Sequence, residues 1–182
     1  DGLDPTIKIG PVINKAALEK INHYVQIGKQ QGANLLIGGE ILTEGDLAKG
    51  YYYAPTIFTN VEATSILAQE EIFGPVVSII EVSSLEEAIE VNNNVKFGLS
   101  SSIFSQDVNK IFKAQQLLDT GIVYVNAGTT GAEIHLPFGG TKGTGNGHRD
   151  SGQAALDVYT EWKSIYVDYS GKLQRAQIDN NA

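Results

Sequence analysis

The 182-residue chain contains no cysteine and no methionine. The first absence excludes disulfides, thiolate metal sites and a cysteine nucleophile within these residues. The second extends to position 1, so the expectation is a trimmed product or a piece of something longer. The opening Asp1-Gly2-Leu3-Asp4-Pro5 is loop-like and offers no hydrophobic entry into a domain. Positive charge is also scarce: 13 Lys and Arg against 21 Asp and Glu leave a net charge of −8. That balance argues against nucleic acid or an anionic membrane as partner, since both need clustered basic side chains. No apolar run approaches the roughly 20 residues of a membrane span. Nothing at the start resembles a secretory signal, so the default expectation is cytoplasmic. His23, His135 and His148 lack metal-ligand spacing, and the serines form no G-x-S-x-G elbow. Taken alone, the residues supply acids but no nucleophile with a partnered base.

What is present suits a globular α/β protein, with 42% hydrophobic residues available for a core. Asn14 is placed to cap a helix that runs to about Gln31 and stops at Gly32, with Leu18, Ile21, Val25 and Gly28 on one face. Ala33–Ile37 reads as a strand and Ile41–Gly50 as an acidic loop. Tyr51–Tyr53 and Thr56–Phe58 read as extended, and Val61–Ala68 as an irregular or one-turn link. Val76–Val82, Gly98–Phe104 and Ile122–Val125 read as strands. Between them, Ser84–Glu87 forms a capping box, with Glu87 reaching back to the cap amide, for a helix fraying at Asn92–Asn94. A second helix starts at Gln106 or Asp107 and is stopped by Gly121. Strands alternating with helices on short links predict an open parallel sheet with flanking helices. Gly152–Trp162 is patterned as a helix, and Lys163–Ser170 alternates as a half-exposed strand before a polar tail.

Two stretches stand apart. Gln69-Glu70-Glu71-Ile72-Phe73-Gly74-Pro75 sets two carboxylates and an aromatic just outside a strand end, where open α/β sheets bind ligands. The alternative is a solvated glutamate pair with Phe73 plugging the core. Asn126–Gly147 holds seven of the 20 glycines. Its spacing matches neither G-x-G-x-x-G nor a phosphate-binding G-x-x-x-x-G-K-[ST] loop. Those glycines instead let the backbone pass close to a ligand or a second segment. Asp150, beside Arg149, is either half of a local ion pair or a carboxylate at a site mouth.

Glu70–Pro75 and Pro137-Phe138-Gly139-Gly140 together resemble the C-terminal part of the aldehyde dehydrogenase superfamily. Ordered matches continue through Ile9–Ile13, Gly50–Thr56, Asn92 with Phe97–Ser100, Gly121–Asn126 and Tyr159–Lys163, so the resemblance spans nearly the whole chain. It implies thiohemiacetal formation on a cysteine, hydride transfer to NAD or NADP, and thioester hydrolysis. It also implies roles for individual residues. Glu71 matches the glutamate that binds the nicotinamide ribose hydroxyls, and Phe73 the aromatic near the nicotinamide. Phe138 matches the ring at the inner end of the aldehyde tunnel. Asp150 falls where many members carry a glutamate tied to a water and proton network; the shorter acid here is a departure. Thr130–Ile134, with Gly131 and Ala132, resembles the loop that anchors amino-acid-derived semialdehydes such as aminoadipate semialdehyde. Lys163–Ser170 resembles an arm that pairs with a neighbouring subunit, implying a homo-oligomer, at least a dimer.

The implied layout is a partial catalytic domain at 1–148, a connecting helix at 149–162, an oligomerisation strand at 163–171 and a tail at 172–182. The nucleophilic cysteine and the general-base glutamate are expected upstream, leaving this stretch inactive alone. A non-catalytic oligomerisation or interaction module with the same fold is the rival expectation.

Overall fold

The computed structural model describes residues 3–172. The first two residues of the opening loop and residues 173–182 of the tail lie outside the described residues. The fold is mixed α/β, and its best-packed part is organised on helix α1, Lys15–Gln30. Asn14, extended and outside the helix, accepts a hydrogen bond from the Ala17 amide at 2.8 Å and so satisfies one of the free donors of the first turn. Leu18, Ile21, Val25 and Gly28 are buried at the three- and four-residue spacing expected. Leu18, Ile21 and Val25 pack into a cluster with Tyr53, Phe58, Val61, Leu67 and Ile72.

Strand β4 (Thr56–Thr59) lies between β1 (Asn34–Ile37), which runs antiparallel to it, and β5 (Val76–Ser78), which runs parallel. Its period-two pattern is clear: Thr56 and Phe58 are buried while Ile57 and Thr59 are half-buried. The buried Thr56 hydroxyl donates to the Ala54 carbonyl and accepts from the Gly39 amide, so its burial leaves no unmet polar group. Strand β2 (Ile41–Leu42) pairs with β3 (Tyr52–Tyr53), and a 3₁₀ turn at Gly45–Lys49 joins them. Helix α2 is the single turn Ile66–Gln69.

Further along come α3 (Leu85–Asn93), β6 (Phe97–Gly98), β7 (Ser100–Ile103), α4 (Val108–Leu117), β8 (Ile122–Val125), β9 (Thr141–Lys142) and α5 (Ala154–Tyr159). Parallel strands β7 and β8 are joined through α4, the crossover that parallel pairing requires. Strand β6 pairs antiparallel with β9.

Several expectations are corrected in detail. The α/β class holds, but the strands form four small sheets with antiparallel additions rather than one parallel sheet. The strand begun at Val76 stops at Ser78, because its neighbour β4 ends at Thr59 and Asn60 turns away with φ 53°. The strand expected at Gly98–Phe104 divides at Leu99, since β6 and β7 have different partners. The acidic loop Ile41–Gly50 contains β2 and the 3₁₀ turn. Of the two candidate caps for α4, Asp107 takes the position, accepting from the amides of Asn109 and Lys110.

Ser84 caps α3 as expected, but Glu87 reaches past it to the Ser83 amide and hydroxyl, which hold its carboxyl below the usual range. Asn92–Asn94 do not fray; α3 runs through Asn93, and Asn94 caps it. Gly121 does not end α4, which stops at Leu117. Helix α5 is shorter than Gly152–Trp162. Lys163–Ser170 is not a strand: no described segment pairs with it, and both alternating sets are exposed, Tyr166 at 93% and Tyr169 at 93%.

Tyr53 provides a test of the core. It is 3% exposed, and its hydroxyl donates to Asn22 Oδ1. Burial, then the charge of Glu40, pushes its phenol up to about 12. The folded state thus favours the neutral ring, and that contribution is present below the unfolded value near 10 and lost as pH rises towards 12. Thermal melts across this window should show the parent losing on the order of 2 kcal/mol more than Tyr53→Phe, which has nothing to ionise.

Candidate functional site

Between α2 and β5 the chain sorts its side chains sharply. Ile72, not Phe73, fills the core, at 9% exposure. Glu70 is paired with Lys96, whose Nζ lies 2.9 and 3.0 Å from its two carboxylate oxygens. Both groups are substantially exposed, so the pair contributes little to stability. Glu71 is fixed through its backbone, where its carbonyl accepts from Lys20 Nζ at 2.9 Å. Its exposed carboxylate has no hydrogen bond or ion pair among the described residues. It stands at a cleft of ≈ 490 Å³ lined also by Asn92, Phe97, Ser100, Thr120 and Thr144.

Phe73 is 80% exposed and has φ 58°. A bulky side chain in the left-handed region is a backbone outlier, and such strain collects at functional sites. The alternative in which Phe73 plugs the core is therefore overturned.

A second cleft, ≈ 540 Å³, brings Gly131, Ala132 and Phe138 together against Ile122 and Tyr124 of β8. Phe138 is half-exposed and bridges to Asp150 through the backbone. The Phe138 amide donates to the Asp150 carbonyl at 2.5 Å, and the Asp150 amide returns a bond at 2.7 Å. Asp150 thus sits beside Phe138 through its main chain, while its exposed carboxylate lines neither cleft. Arg149 does not pair with it: the guanidinium donates to the carbonyls of Gly140 and His148. Phe73 lines neither cleft, so the structure gathers Gly131, Ala132 and Phe138 in one place and leaves Glu71 and Phe73 in another.

Thr120 lines the first cleft and Ile122 the second, so Gly121 marks the boundary between them along the chain. A Cβ on Gly121 would lie 1.8 Å from the Gly139 carbonyl oxygen, which no side chain could accommodate. Close approach accounts for Gly139, Gly140 and Gly143 of the run in the same way, whereas a Cβ on Gly128, Gly131 or Gly147 would meet nothing within 4 Å.

Sequence reasoning missed the polar ties around it. Asn93 donates to the Leu117 carbonyl at 2.7 Å and accepts from the Asp119 amide at 2.8 Å. Lys142 donates to the Asn93 carbonyl, and Thr141 to the Asp119 carbonyl. Tyr124, which donates to the Gly131 carbonyl at 2.5 Å, was also missed. The asparagine run at a helix end was the available signal for the first set; a tyrosine in an apolar strand gave none for the second.

Among the described residues, no group of three or more His, Cys, Asp or Glu is placed to hold a metal ion, and no helix is long and apolar enough to cross a membrane.

Residues 1–165 match the aldehyde dehydrogenase family. The chain is 44% identical over 92% of its length to an alpha-ketoglutaric semialdehyde dehydrogenase from Bacillus subtilis, of which it covers 34%. It is 39% identical over 89% of its length to an alpha-ketoglutarate semialdehyde dehydrogenase from Haloferax volcanii, again covering 34%. A point mutant of betaine aldehyde dehydrogenase from Staphylococcus aureus, solved in complex with NAD+, superimposes with a TM-score of 0.90 at 32% identity. That likeness covers 95% of this chain and 35% of the other. The chain thus spans about a third of the length of the curated relatives it matches.

The strain at position 73 is measurable. Glycine ordinarily destabilises relative to alanine, but at φ 58° the order should invert. Phe73→Gly should be about 1 kcal/mol more stable than Phe73→Ala in chemical denaturation. Equal stabilities, or a more stable alanine variant, would show that the backbone there relaxes at no cost.

Proposed function

The chain belongs to the aldehyde dehydrogenase family, and we propose that its 182 residues form the cofactor-facing and aldehyde-facing walls of an NAD(P)+-dependent enzyme that oxidises an aldehyde to a carboxylic acid. The observation that carries this reading is the convergence of Gly131, Ala132 and Phe138 on one cleft against β8. With no cysteine in the chain, the thiolate that forms the thioester lies outside these residues, and they catalyse nothing alone.

The residues present fit the cofactor. Glu71 offers a carboxylate with no partner among the described residues, able to accept from two ribose hydroxyls at once, and Phe73 offers an exposed ring two residues on. The bound cofactor supplies the hydride acceptor. Glu71 would hold the ribose and Phe73 would pack near the nicotinamide. Phe138 would wall the inner end of the aldehyde tunnel, where an apolar surface excludes water. Asp150, tied to Phe138 through the backbone, would join a water and proton network at that end.

The favoured substrate is a semialdehyde carrying a carboxylate. Two relatives named for alpha-ketoglutarate semialdehyde support this class. So does the loop at Gly131 and Ala132: none of the amides from Gly128 to Glu133 donates a hydrogen bond among the described residues. Exposed N–H groups in such a turn can hold an anion. Lys163–Ser170, with its exposed aromatics, would gain a ladder from a second copy of the protein, giving at least a dimer.

An aldehyde panel assayed with NAD+ and NADP+ on the full-length parent tests the reading. Glu71→Gln should raise the KM for the cofactor roughly tenfold, about the worth of one charged hydrogen bond. Phe138→Ala should leave cofactor constants near the parent's and shift preference among aldehydes. Equal effects of both changes on both substrates would remove the assigned roles. The purified 182-residue chain should show no turnover with either cofactor, and measurable oxidation by it would refute the location of the nucleophile.

A further inference from the structure

The aldehyde-facing loop is tightly held at both ends and barely held in its middle. At its start, Asn126 exchanges hydrogen bonds with the backbone of Ser105, and Ser102 donates to the Ala127 carbonyl. At its end, the Gly152 amide donates to the Ile134 carbonyl, and Phe138 bridges to Asp150. Between Gly128 and Ala132 a single hydrogen bond falls among the described residues, from the Tyr124 hydroxyl to the Gly131 carbonyl at 2.5 Å. Tyr124, Gly131 and Ala132 all line the same cleft.

That one bond does more than tether. In a planar trans peptide the carbonyl of one residue and the N–H of the next point in opposite directions. Pinning the Gly131 oxygen on Tyr124 therefore aims the Ala132 N–H away from the phenol. The same N–H donates to no described protein group. Gly131 has φ 88°, and a Cβ built on it would meet nothing within 4 Å, so backbone conformation rather than lack of space requires glycine there.

We infer that Tyr124 is a positioning residue for substrate choice: its hydroxyl orients the Gly131–Ala132 peptide so that the Ala132 amide is presented to the carboxylate of a semialdehyde. The inference rests on the reading that this loop holds a substrate carboxylate. It adds a residue, on a strand rather than on the loop, that decides whether the loop can do so. The phenyl ring of Tyr124 supplies part of the cleft wall, and only the hydroxyl sets the amide. Removing the oxygen alone should therefore cost carboxylate recognition without altering access for aldehydes in general.

The test uses Tyr124→Phe in the full-length parent, with glutarate semialdehyde and pentanal, which share a chain length and differ in the carboxylate. The KM for glutarate semialdehyde should rise about five- to tenfold with kcat nearly unchanged, as for loss of one oriented hydrogen bond, while both constants for pentanal stay put. An equal rise for the two aldehydes would mean a merely structural role and overturn the proposal, as would no rise for either. Gly131→Ala, which strains the loop without a clash, separates the two levels of the argument. If Gly131→Ala raises KM for the carboxylated aldehyde alone and Tyr124→Phe does not, the loop keeps its role and Tyr124 loses its own. If neither variant discriminates between the aldehydes, the carboxylate-holding loop itself is wrong.

Discussion

The arrangement of both clefts depends on one backbone-to-backbone contact. Gly98, Gly121 and the Gly139-Gly140 pair come from three separate segments and meet with no room for side chains. A Cβ on Gly121 would overlap the Gly139 carbonyl, one on Gly140 would lie 2.9 Å from the Gly98 oxygen, and one on Gly98 would lie 2.8 Å from the Asp119 oxygen. The Gly121 amide donates to Gly98 at 3.0 Å, and the Thr144 hydroxyl accepts from the Gly98 amide at 2.8 Å. Because Phe138 immediately precedes this contact and Ile122 immediately follows it, the aromatic end of the second cleft is pressed against β8. A single larger residue at position 121 would separate the two walls.

How much of this was legible beforehand depended on the range of the interaction. Local chemistry could be read directly. Asn14, Ser84 and Asp107 cap helices through bonds spanning two or three residues, and the buried face of α1 follows from spacing alone. Errors began where an element's limits were set by a distant partner. Val76–Ser78 is short because β4 gives out beside it, and Leu99 divides a run of strand-like sequence because β9 and β8 claim different sides. Gly121 looks like a helix stop in sequence, yet its necessity comes from Gly139, visible only in three dimensions.

The site followed the same rule. Motif resemblance picked out Glu71, Phe73, Phe138, Gly131 and Ala132, and the structure adds which of them share a cleft. The strain at Phe73 carries no sequence signal, since the residue's type argues against the backbone it adopts. Tyr124 was equally hidden. In an apolar strand a tyrosine reads as a core ring, and only its hydroxyl's reach to Gly131 shows otherwise.

The segments that carry Glu71 and Gly131 are also held by different forces, and this bears on how each can behave. All eight residues of the main apolar cluster lie from Leu18 to Ile72, so Glu71 and Phe73, on either side of Ile72, emerge directly from that cluster. Interiors of that kind resist small displacements, so the backbone that carries this carboxylate and ring is firmly placed. Beyond Asn92 the ties are mostly polar: Asn93 to the end of α4, Lys142 and Thr141 to the segments they cross, Tyr124 to Gly131. Exposed hydrogen bonds with few apolar contacts open at lower free energy than packed cores. The segment around Gly131 is therefore more adaptable than the one that carries Glu71 and Phe73. Hydrogen bonds around Gly131 can therefore be altered without disturbing the core from which Glu71 and Phe73 emerge.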